Sequence, residues 1–301
     1  MPPRHDVIVI GSGITGLNAA RQALQHGMAT ATIEAQFFGG LVVNINHLDG
    51  EVQGSGTDLA MELMSEVSDL GADNTAATVL AIRNEGNDVI VESDAGQHRA
   101  GAVIIASGAR IKRLGIPGEA ELEDQGVSRC ADCNGPLYQN QDVVVVGGGD
   151  SALQEALVLA QFVRQVHLVH RGTRFTAQRH LVDQVAGHPK ISVRWRTGVE
   201  AVLGTQSVRA VRVNSLDDDT RLDIACTGFF AYVGLEPACE FVPAAVARDP
   251  NGFLLTDAAM QTAMPGVFAA GAVRAGYAGL LSHAIAEGIA AANSVKAMQR
   301  A

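Results

Sequence analysis

Two cysteines separated by two residues, Cys130 and Cys133, have a spacing in this 301-residue chain that is typical of redox-active or metal-binding sites. A C-x-x-C segment can hold a redox-active disulfide, supply half of a zinc site, or consist of two buried thiols. Its position narrows the choice, because a glycine-rich loop begins at Gly11 and a second one begins at Gly147, shortly after the cysteines. Two dinucleotide loops combined with a cysteine pair predict electron flow from a nicotinamide, through a flavin, to a disulfide.

The first glycine loop stands in the sequence context that dinucleotide binding requires. An apolar, β-branched run over residues 6–10 predicts a buried strand, residues 15–25 have helical spacing, and residues 29–33 predict a second strand. In the G-x-G-x-x-G turn, Gly11 makes the tight bend, Gly13 admits the pyrophosphate and Gly16 lets helix and strand pack closely. Glu34 ends the second strand, where an acid accepts hydrogen bonds from the adenosine ribose.

Residues 143–169 repeat this design with one substitution. A strand over 143–146 leads into the loop 147–152, a helix through 156–162 and a strand over 166–169. The position of the acid is taken by His170, followed by Arg171. Because an acid favours a free ribose 2′-hydroxyl and a cation favours a 2′-phosphate, we expect FAD at the first loop and NADPH rather than NADH at the second.

The predicted fold class is α/β, with two Rossmann-like three-layer nucleotide-binding domains, the second inserted into the first. The rigid and flexible residues of Gly115-Ile116-Pro117-Gly118 suit a crossing between domains. We therefore expect an FAD-binding domain at 1–114 and 241–301. An NAD(P)H-binding-like domain that carries the C-x-x-C motif is expected at 115–240.

Composition excludes several classes of protein. The net charge of −10, without a basic run, argues against nucleic acid as a partner. No apolar run has the length of a membrane span, so no membrane association is expected. Four cysteines do not make a secreted disulfide scaffold, which favours a cytoplasmic location where a C-x-x-C disulfide is transient and catalytic. No metal is expected, because no second ligand pair follows the first, and Cys226 and Cys239 are predicted to be buried apolar residues.

With these motifs the chain resembles the low-molecular-weight thioredoxin reductase family of flavoproteins over nearly its whole length. The motifs that carry the resemblance are the N-terminal G-x-G-x-x-G, Gly39-Gly40-Leu41, the cysteine pair with Gly135-Pro136-Leu137 after it, the 147–152 loop, His170-Arg171, and Pro265 to Gly271. The resemblance implies a homodimer with two domains that rotate, and a C-x-x-C dithiol that reduces a thioredoxin-like protein. By position, Cys133 would lie against the flavin and Cys130 would attack the partner's disulfide.

The resemblance also implies the residues of each site. The FAD site is expected to comprise Gly11, Ser12, Gly13, Thr15, Gly16, Glu34, Ala35, Gly40, Leu41, Asn46, Val79, Ser107, Gly108, Gly271 and Ala272. The nicotinamide nucleotide is expected to contact Gly147, Gly149, Asp150, Ser151, Ala152, His170, Arg171 and Arg174. The catalytic residues are expected to be Cys130, Cys133 and Asn134.

One departure from the family lies at the proton-transfer position. The family usually has an aspartic acid directly after the second cysteine, proposed to protonate the leaving thiolate, and this chain has Asn134. An amide can form hydrogen bonds but cannot deliver a proton at neutral pH. Asp132, between the cysteines, is a candidate substitute.

Further departures lie at the nucleotide and flavin positions. Gly172 and Thr176 stand where the family has arginines for the 2′-phosphate, which leaves Arg171 and Arg174 and predicts weaker NADPH binding. Ala272 stands where an aspartate binds the ribityl chain, and the Arg-Gln that usually follows Tyr277 is absent. These changes indicate a specialised member of the family, with the flavin end of the cofactor held differently.

The sequence leaves several functions open. The leading one is an FAD-dependent thioredoxin reductase-like enzyme that takes electrons from NADPH or another donor. The alternatives are a flavin-dependent dithiol oxidase acting on a small molecule, a disulfide reductase fed by a ferredoxin-type donor, and a non-catalytic FAD redox sensor. The sequence does not decide the electron donor, the substrate, the direction of electron flow or the group that replaces the acid at Asn134.

Overall fold

The structure is a computed structural model that describes residues 3–45, 48 and 54–300. Its strands are β1 (Arg4–Ile10), β2 (Thr30–Glu34), β3 (Asp73–Ala76), β4 (Val79–Glu85), β5 (Asp88–Ser93), β6 (Gly96–Ile105), β7 (Ala109–Ile111), β8 (Val127–Ser128), β9 (Asp142–Gly147), β10 (Gln165–Val169), β11 (Ile191–Arg194), β12 (Thr197–Gly204), β13 (Val208–Ser215), β14 (Arg221–Ala225), β15 (Gly228–Tyr232), β16 (Leu235–Pro237) and β17 (Val267–Ala269). Its α-helices are α1 (Ile14–Gln25), α2 (Gly56–Asp69), α3 (Ala131–Asn134), α4 (Asp150–Phe162), α5 (Arg179–Ala186) and α6 (Leu281–Gln299). Short 3₁₀ turns span Gly40–Asn44, Gly135–Tyr138 and Gly271–Val273.

The chain forms two compact units. Unit 1 comprises Met1–Arg110 and Glu236–Ala301, and unit 2 is the continuous segment Ile111–Leu235. The chain leaves unit 1 through β7 and returns through β16, and these two strands pair with each other. This division does not show which nucleotide each unit binds, so that assignment stays a prediction.

Unit 1 is built on a sheet of order β3-β2-β1-β6-β5-β4, with β17 also on β6. Strands β3, β2, β1, β6 and β17 pair in parallel, and β4-β5-β6 form an antiparallel meander. Successive residues of β1 point to opposite faces: Val7 and Val9 pack in a cluster with α1, α2 and α6, whereas Ile8 and Ile10 pack in a second cluster with Val242 and its neighbours. Burial on both faces explains why β1 reads as a continuous apolar run.

Helices α1 and α6 of unit 1 lie unusually close together. A Cβ placed on Gly288 of α6 would lie 2.3 Å from the backbone oxygen of Thr15 in α1. Only a residue without a side chain fits at that crossing, because real Cβ atoms do not come within 3.0 Å of a backbone oxygen. The crossing places Gly288 of α6 against the first turn of α1, which follows the first glycine loop.

Unit 2 repeats the layered arrangement around an all-parallel sheet of order β11-β10-β9-β15-β8. Val143 and Val145 of β9 pack with α4 and α5, and Val144 and Val146 pack with the antiparallel sheet β12-β13-β14 on the other face. Within that second sheet, β12 and β13 pair antiparallel and form a hairpin. Among the described residues, no helix combines the length and the apolar content needed to cross a bilayer.

Candidate dinucleotide and redox sites

The first glycine loop of unit 1 is as tight as its sequence predicts. Gly11 has a φ of +101°, and a Cβ there would lie 2.5 Å from the backbone oxygen of Ala106. A Cβ on Gly16 would lie 1.8 Å from the oxygen of Gly11. Gly13 differs, since the nearest atom to a Cβ there would be 3.8 Å away, and it precedes α1 as an N-cap without a side-chain hydrogen bond. The loop therefore leaves open space and unpaired N–H groups at the helix N-terminus, which fits a pyrophosphate.

Glu34 is held at the end of β2 by the same loop. Its carboxylate accepts the backbone N–H of Ser12 at 2.7 Å and that of Gln36 at 2.9 Å. Each carboxylate oxygen has a further lone pair, so both can also accept a ribose hydroxyl. The backbone oxygen of Glu34 accepts the N–H of Ala77 at 2.9 Å, which brings the start of β4 and Val79 towards this edge, and Ala35 follows directly in the chain.

Other expected FAD residues gather around the first loop. The N–H of Gly39 donates to the backbone oxygen of Ser12 at 2.7 Å, which places Gly40 next to Gly13, and the half-exposed Leu41 follows in the chain. A Cβ on Gly271 would lie 2.4 Å from the Thr15 hydroxyl. Asn46 lies outside the described residues. The residues present fit an FAD dinucleotide, although these positions define the adenosine and pyrophosphate end more fully than the flavin end.

The turn around Gly271 and Ala272, where the family aspartate is missing, is fixed by α6. The Glu287 carboxylate accepts the N–H of Gly271 at 2.7 Å and pairs with Arg274 at 2.7 Å. Both ion-pair side chains are largely buried. Ser107, the next expected FAD residue, donates its hydroxyl proton to the backbone oxygen of Ala238 at 2.6 Å, and Gly108 follows with a φ of +71°.

The second glycine loop, in unit 2, closes on the end of β15. Gly147 has a φ of +147°, and a Cβ there would lie 2.3 Å from the oxygen of Tyr232. Gly149 is the N-cap of α4, whose first turn contains the exposed Ser151 and the fully buried Ala152. The Asp150 carboxylate accepts the Gln178 side-chain amide at 2.8 Å and its backbone N–H at 2.7 Å, and these bonds lower the pKa of Asp150.

His170 and two aromatic rings cover one side of this loop. The imidazole lies against Gly148, where a Cβ would be 2.2 Å from the ring, and its Nε2 lies 3.0 Å from the oxygen of Arg174. The ring centroids of Phe175 and Trp195 are 4.4 Å apart, and Trp195 is 5.8 Å from His170. Trp195, the chain's single tryptophan, is 41% exposed and was missed by sequence reasoning, since no nucleotide motif includes it.

The cations expected at the second site are exposed. Arg171 and Arg174 form no ion pair with any residue that the structure describes, so their guanidinium groups are available to a phosphate. A Cβ on Gly172 would lie 2.7 Å from the His170 ring, so the arginine that the family has here does not fit without moving that ring.

Cys130 and Cys133 form a disulfide with a Cα–Cα distance of 5.3 Å. Cys130 caps the one-turn helix α3, and the N–H of Cys133 donates to its Sγ at 3.1 Å. Cys133 is exposed and Cys130 is partly buried. The pair therefore offers an accessible disulfide, with a backbone donor placed to stabilise a Cys130 thiolate.

The structure places side chains around the disulfide that the sequence does not indicate. Asn134 accepts the Ser128 hydroxyl at 2.8 Å, so its amide is part of a local hydrogen-bond network. The N–H of Ala131, between the cysteines, donates to the carboxylate of Glu155 at 3.1 Å, and the Tyr232 hydroxyl donates to the same oxygen at 3.3 Å. Burial raises the pKa of Glu155, the Ala131 N–H opposes this, and the charge of Asp132 adds to it. Glu155 is the second site residue that sequence reasoning missed.

The two remaining cysteines have no redox partner. Cys226 and Cys239 are 5% and 3% exposed, which confirms the prediction that they are buried small residues. Burial raises the pKa of the Cys226 thiol to about 12 and also raises that of Cys239. Both stay protonated and unreactive near neutral pH.

Together these features define a class: a two-unit dinucleotide-binding oxidoreductase with an accessible disulfide in the second unit. A family model described as pyridine nucleotide-disulphide oxidoreductase matches residues 5–288. The chain belongs to that family, and it is an oxidoreductase.

Individual relatives agree with the resemblance seen in the sequence. The thioredoxin reductase of Treponema pallidum (strain Nichols) is 34% identical over 279 residues, which cover 91% of each chain. A crystal structure of Lactococcus lactis thioredoxin reductase in the FR conformation superposes with a TM-score of 0.91 at 32% identity, over 97% of this chain and 98% of that one. The thioredoxin reductase of T. acidophilum gives a TM-score of 0.90 at 26% identity, with 99% of both chains covered. The predicted fold class and the predicted kinship with low-molecular-weight thioredoxin reductases are confirmed.

Proposed function

We propose that this protein is an FAD-dependent disulfide reductase of the thioredoxin reductase type, which takes electrons from NADPH and reduces a thioredoxin-like protein. The observation that carries the proposal is the accessible Cys130–Cys133 disulfide in the same unit as a complete dinucleotide loop. Bound FAD would supply the two-electron relay between the nicotinamide and this disulfide. We assign FAD to unit 1 and the nicotinamide nucleotide to unit 2, on the strength of the acid Glu34 in one and His170-Arg171 in the other.

The two cysteines would then act in sequence on the partner. Reduction leaves Cys130 as the attacking thiolate, stabilised by the N–H of Cys133 at 3.1 Å. Cys130 attacks one sulfur of the partner's disulfide, so a mixed disulfide forms and the other partner sulfur leaves. Cys133 attacks Cys130 in turn, which restores the Cys130–Cys133 disulfide and releases the reduced partner.

The proposal extends to partners and location. A protein disulfide is the substrate favoured by the relatives' names, and we propose a thioredoxin-like protein of the same cell. We also propose a homodimer, as implied by the family resemblance, and a cytoplasmic location, where a disulfide of this kind is kept transient by the reducing environment.

An anaerobic titration of the flavin-loaded protein tests the electron donor. We expect NADPH to bleach the flavin's visible absorption band, because Arg171 and Arg174 are free to hold a 2′-phosphate. The measurement is the absorption spectrum after each addition of NADPH and, separately, of NADH, with dithionite as the control for full reduction. Normal bleaching by dithionite with none by either nucleotide would contradict the proposal and favour a protein donor or a dithiol substrate.

Tryptophan fluorescence gives an independent measurement of nucleotide binding. Because Trp195 is the chain's only tryptophan and lies beside His170, we expect NADP⁺ to change its emission, with NAD⁺ binding about tenfold more weakly. One exposed charge-assisted contact of about 1.5 kcal/mol would account for that ratio. Oxidised nucleotides avoid reducing the flavin during the titration.

The control for this titration is the double variant Arg171→Ala/Arg174→Ala, which removes both exposed guanidinium groups and which we expect to bring the two nucleotides to similar affinity while the fluorescence change remains. If neither nucleotide alters the Trp195 emission at millimolar concentration, the assignment of the nucleotide site to this edge of β10 and β11 is wrong.

A further inference from the structure

The group that handles protons at the disulfide is missing from its usual place. Asn134 cannot give up a proton at neutral pH, and its side chain is bonded to Ser128. Reduction of a disulfide to two thiols nevertheless takes up two protons with two electrons. A carboxyl close to Cys130 or Cys133 would meet that need, and the structure offers two, Asp132 and Glu155.

Glu155 is the better placed of the two. Its Oε2 accepts the N–H of Ala131, which is 0% exposed, at 3.1 Å. That nitrogen belongs to the peptide bond that follows Cys130, so standard bond lengths keep the carboxylate within about 8 Å of the Cys130 sulfur. This separation is no greater than the Debye length at physiological salt, so the two charges interact.

Within the part of the chain that the structure describes, the charge of Glu155 has no compensating ion pair. Among the residues that the structure describes, no arginine, lysine or histidine pairs with its carboxylate. The titratable groups that act on it are Asp132, on α3, and Tyr232, at the end of β15, whose hydroxyl lies 3.3 Å from Oε2. Arg129, the nearest arginine in sequence to Cys130, is paired with Glu123 at 2.9 Å. A carboxylate and a thiolate at this distance, with only backbone and hydroxyl donors between them, disfavour simultaneous ionisation.

We propose that Glu155 and Cys130 share one proton when the disulfide is reduced, so that Glu155 takes the proton-handling role that Asn134 cannot fill. The inference rests on the proposed function for its source of electrons, the reduced flavin. Two electrons break the S–S bond, one proton ends on the Cys133 sulfur, and one is shared between Cys130 Sγ and the Glu155 carboxyl. In the reactive form the carboxyl holds the shared proton and Cys130 is the thiolate.

The number of protons taken up equals the number released over a full turnover. Cys130 forms a bond to one partner sulfur as the partner's S–S bond breaks, and the leaving sulfur takes up the shared proton. Cys133 then loses its proton as it attacks Cys130, and the second partner sulfur takes up that one. The partner gains two electrons and two protons, and Glu155 returns to its starting state. Glu155 holds the proton that the leaving sulfur takes up, and it also acts on the ionisation of Cys130, which the test below measures.

The test measures the ionisation of Cys130 directly. In the flavin-loaded Cys133→Ser protein, the rate of Cys130 alkylation by iodoacetamide is followed from pH 5 to pH 10. The buried thiols of Cys226 and Cys239 do not compete. We expect a profile spread over two coupled ionisations, because the proton is shared. Adding Glu155→Gln, which keeps an acceptor for the Ala131 N–H, should give a single ionisation at a pKa lower by about 0.5–1 unit.

Two further variants keep the test decisive. Tyr232→Phe removes one donor to the carboxylate, so Glu155 holds its proton more readily, and the Cys130 profile should move in the same direction by a smaller amount. Asp132→Asn is the matched control on the other carboxylate. An unchanged profile in Glu155→Gln overturns the inference, as does a shift that occurs in Asp132→Asn alone. A far-ultraviolet circular dichroism spectrum and a thermal unfolding curve report whether each variant is folded, since all three positions lie in unit 2.

The failure of this inference can be told apart from failure of the proposed function. Alkylation of Cys130 needs neither a nicotinamide nor a partner protein. If Glu155→Gln shifts the profile while the protein reduces no thioredoxin-like disulfide, the proton sharing stands and the proposed substrate is wrong. If the profile does not move in an active enzyme, only the role of Glu155 is wrong.

Discussion

Replacing Cys130 with serine is expected to abolish reduction of a thioredoxin-like disulfide, with a loss of roughly a thousandfold or more, as for removal of a covalent nucleophile. A serine hydroxyl does not ionise near neutral pH and cannot form the mixed disulfide. Bleaching of the flavin by nucleotide should persist, since that step precedes the cysteines in the proposed sequence. The measurement is NADPH oxidation in the presence of the partner disulfide, beside the anaerobic flavin titration.

Two companion variants sharpen that result. Cys133→Ser should trap the partner as a covalent complex through Cys130, visible as a mass increase that a reducing agent removes. Cys226→Ser is the matched control, because burial keeps that thiol protonated with a pKa of about 12, and turnover should be unchanged. If Cys130→Ser kept its turnover, the disulfide would not lie on the electron path, and a direct flavin reaction would have to be considered.

Replacing Gly16 with valine should prevent unit 1 from assembling its cofactor site. The new Cβ would lie 1.8 Å from the backbone oxygen of Gly11, so the tight turn and the start of α1 cannot both keep their places. We expect protein that is purified without flavin and that loses more than about 4 kcal/mol of unfolding free energy, a loss typical of severe steric conflict in a core. The ratio of flavin to protein absorbance and a thermal unfolding curve measure the two effects.

Gly13→Ala is the matched control in the same loop. Its φ of −73° suits alanine, and the nearest protein atom to the added Cβ is 3.8 Å away. This variant should fold with near-normal stability and lose affinity for FAD, because the methyl group projects into the space left for the pyrophosphate. Normal flavin content and stability in Gly16→Val would contradict the close contact between α1 and the turn.

The parts of the site that could be predicted from sequence are those set by local backbone geometry. Gly16 is needed because of its contact with Gly11 within one strand-turn-helix segment, and Gly11 because the turn in that segment requires a positive φ. The spacing of the glycines identifies that segment in the sequence. The same holds for the buried parallel strands β1 and β9, whose apolar runs reflect burial on both faces. The glycine turn and the continuous apolar strand recur in other proteins because the same local geometry or burial requires them.

Contacts between distant segments could not be predicted in this way. Glu155 lies on a helix whose periodicity says which face is buried, but not that the N–H of Ala131, 24 residues earlier, points at that carboxylate. Trp195 follows a different strand from His170, and only the parallel pairing of β10 with β11 brings the rings together. Strand β3, with the sequence Asp-Asn-Thr-Ala, escaped detection because it is a polar edge strand with no buried face to give it a pattern.

The path of the chain between its two units has a practical consequence for protein engineering. Unit 2 is one uninterrupted piece whose ends are adjacent, since the N–H of Lys112 bonds to the oxygen of Gly234 at 2.9 Å. The two segments of unit 1 are equally close to each other where unit 2 interrupts them, with the N–H of Ala238 bonded to the oxygen of Gly108 at 3.0 Å. Each piece can therefore be closed on itself with a linker of a few residues, at little cost in loop entropy. Closing the ends of unit 2 in this way keeps the cysteine pair and the second glycine loop on one continuous segment.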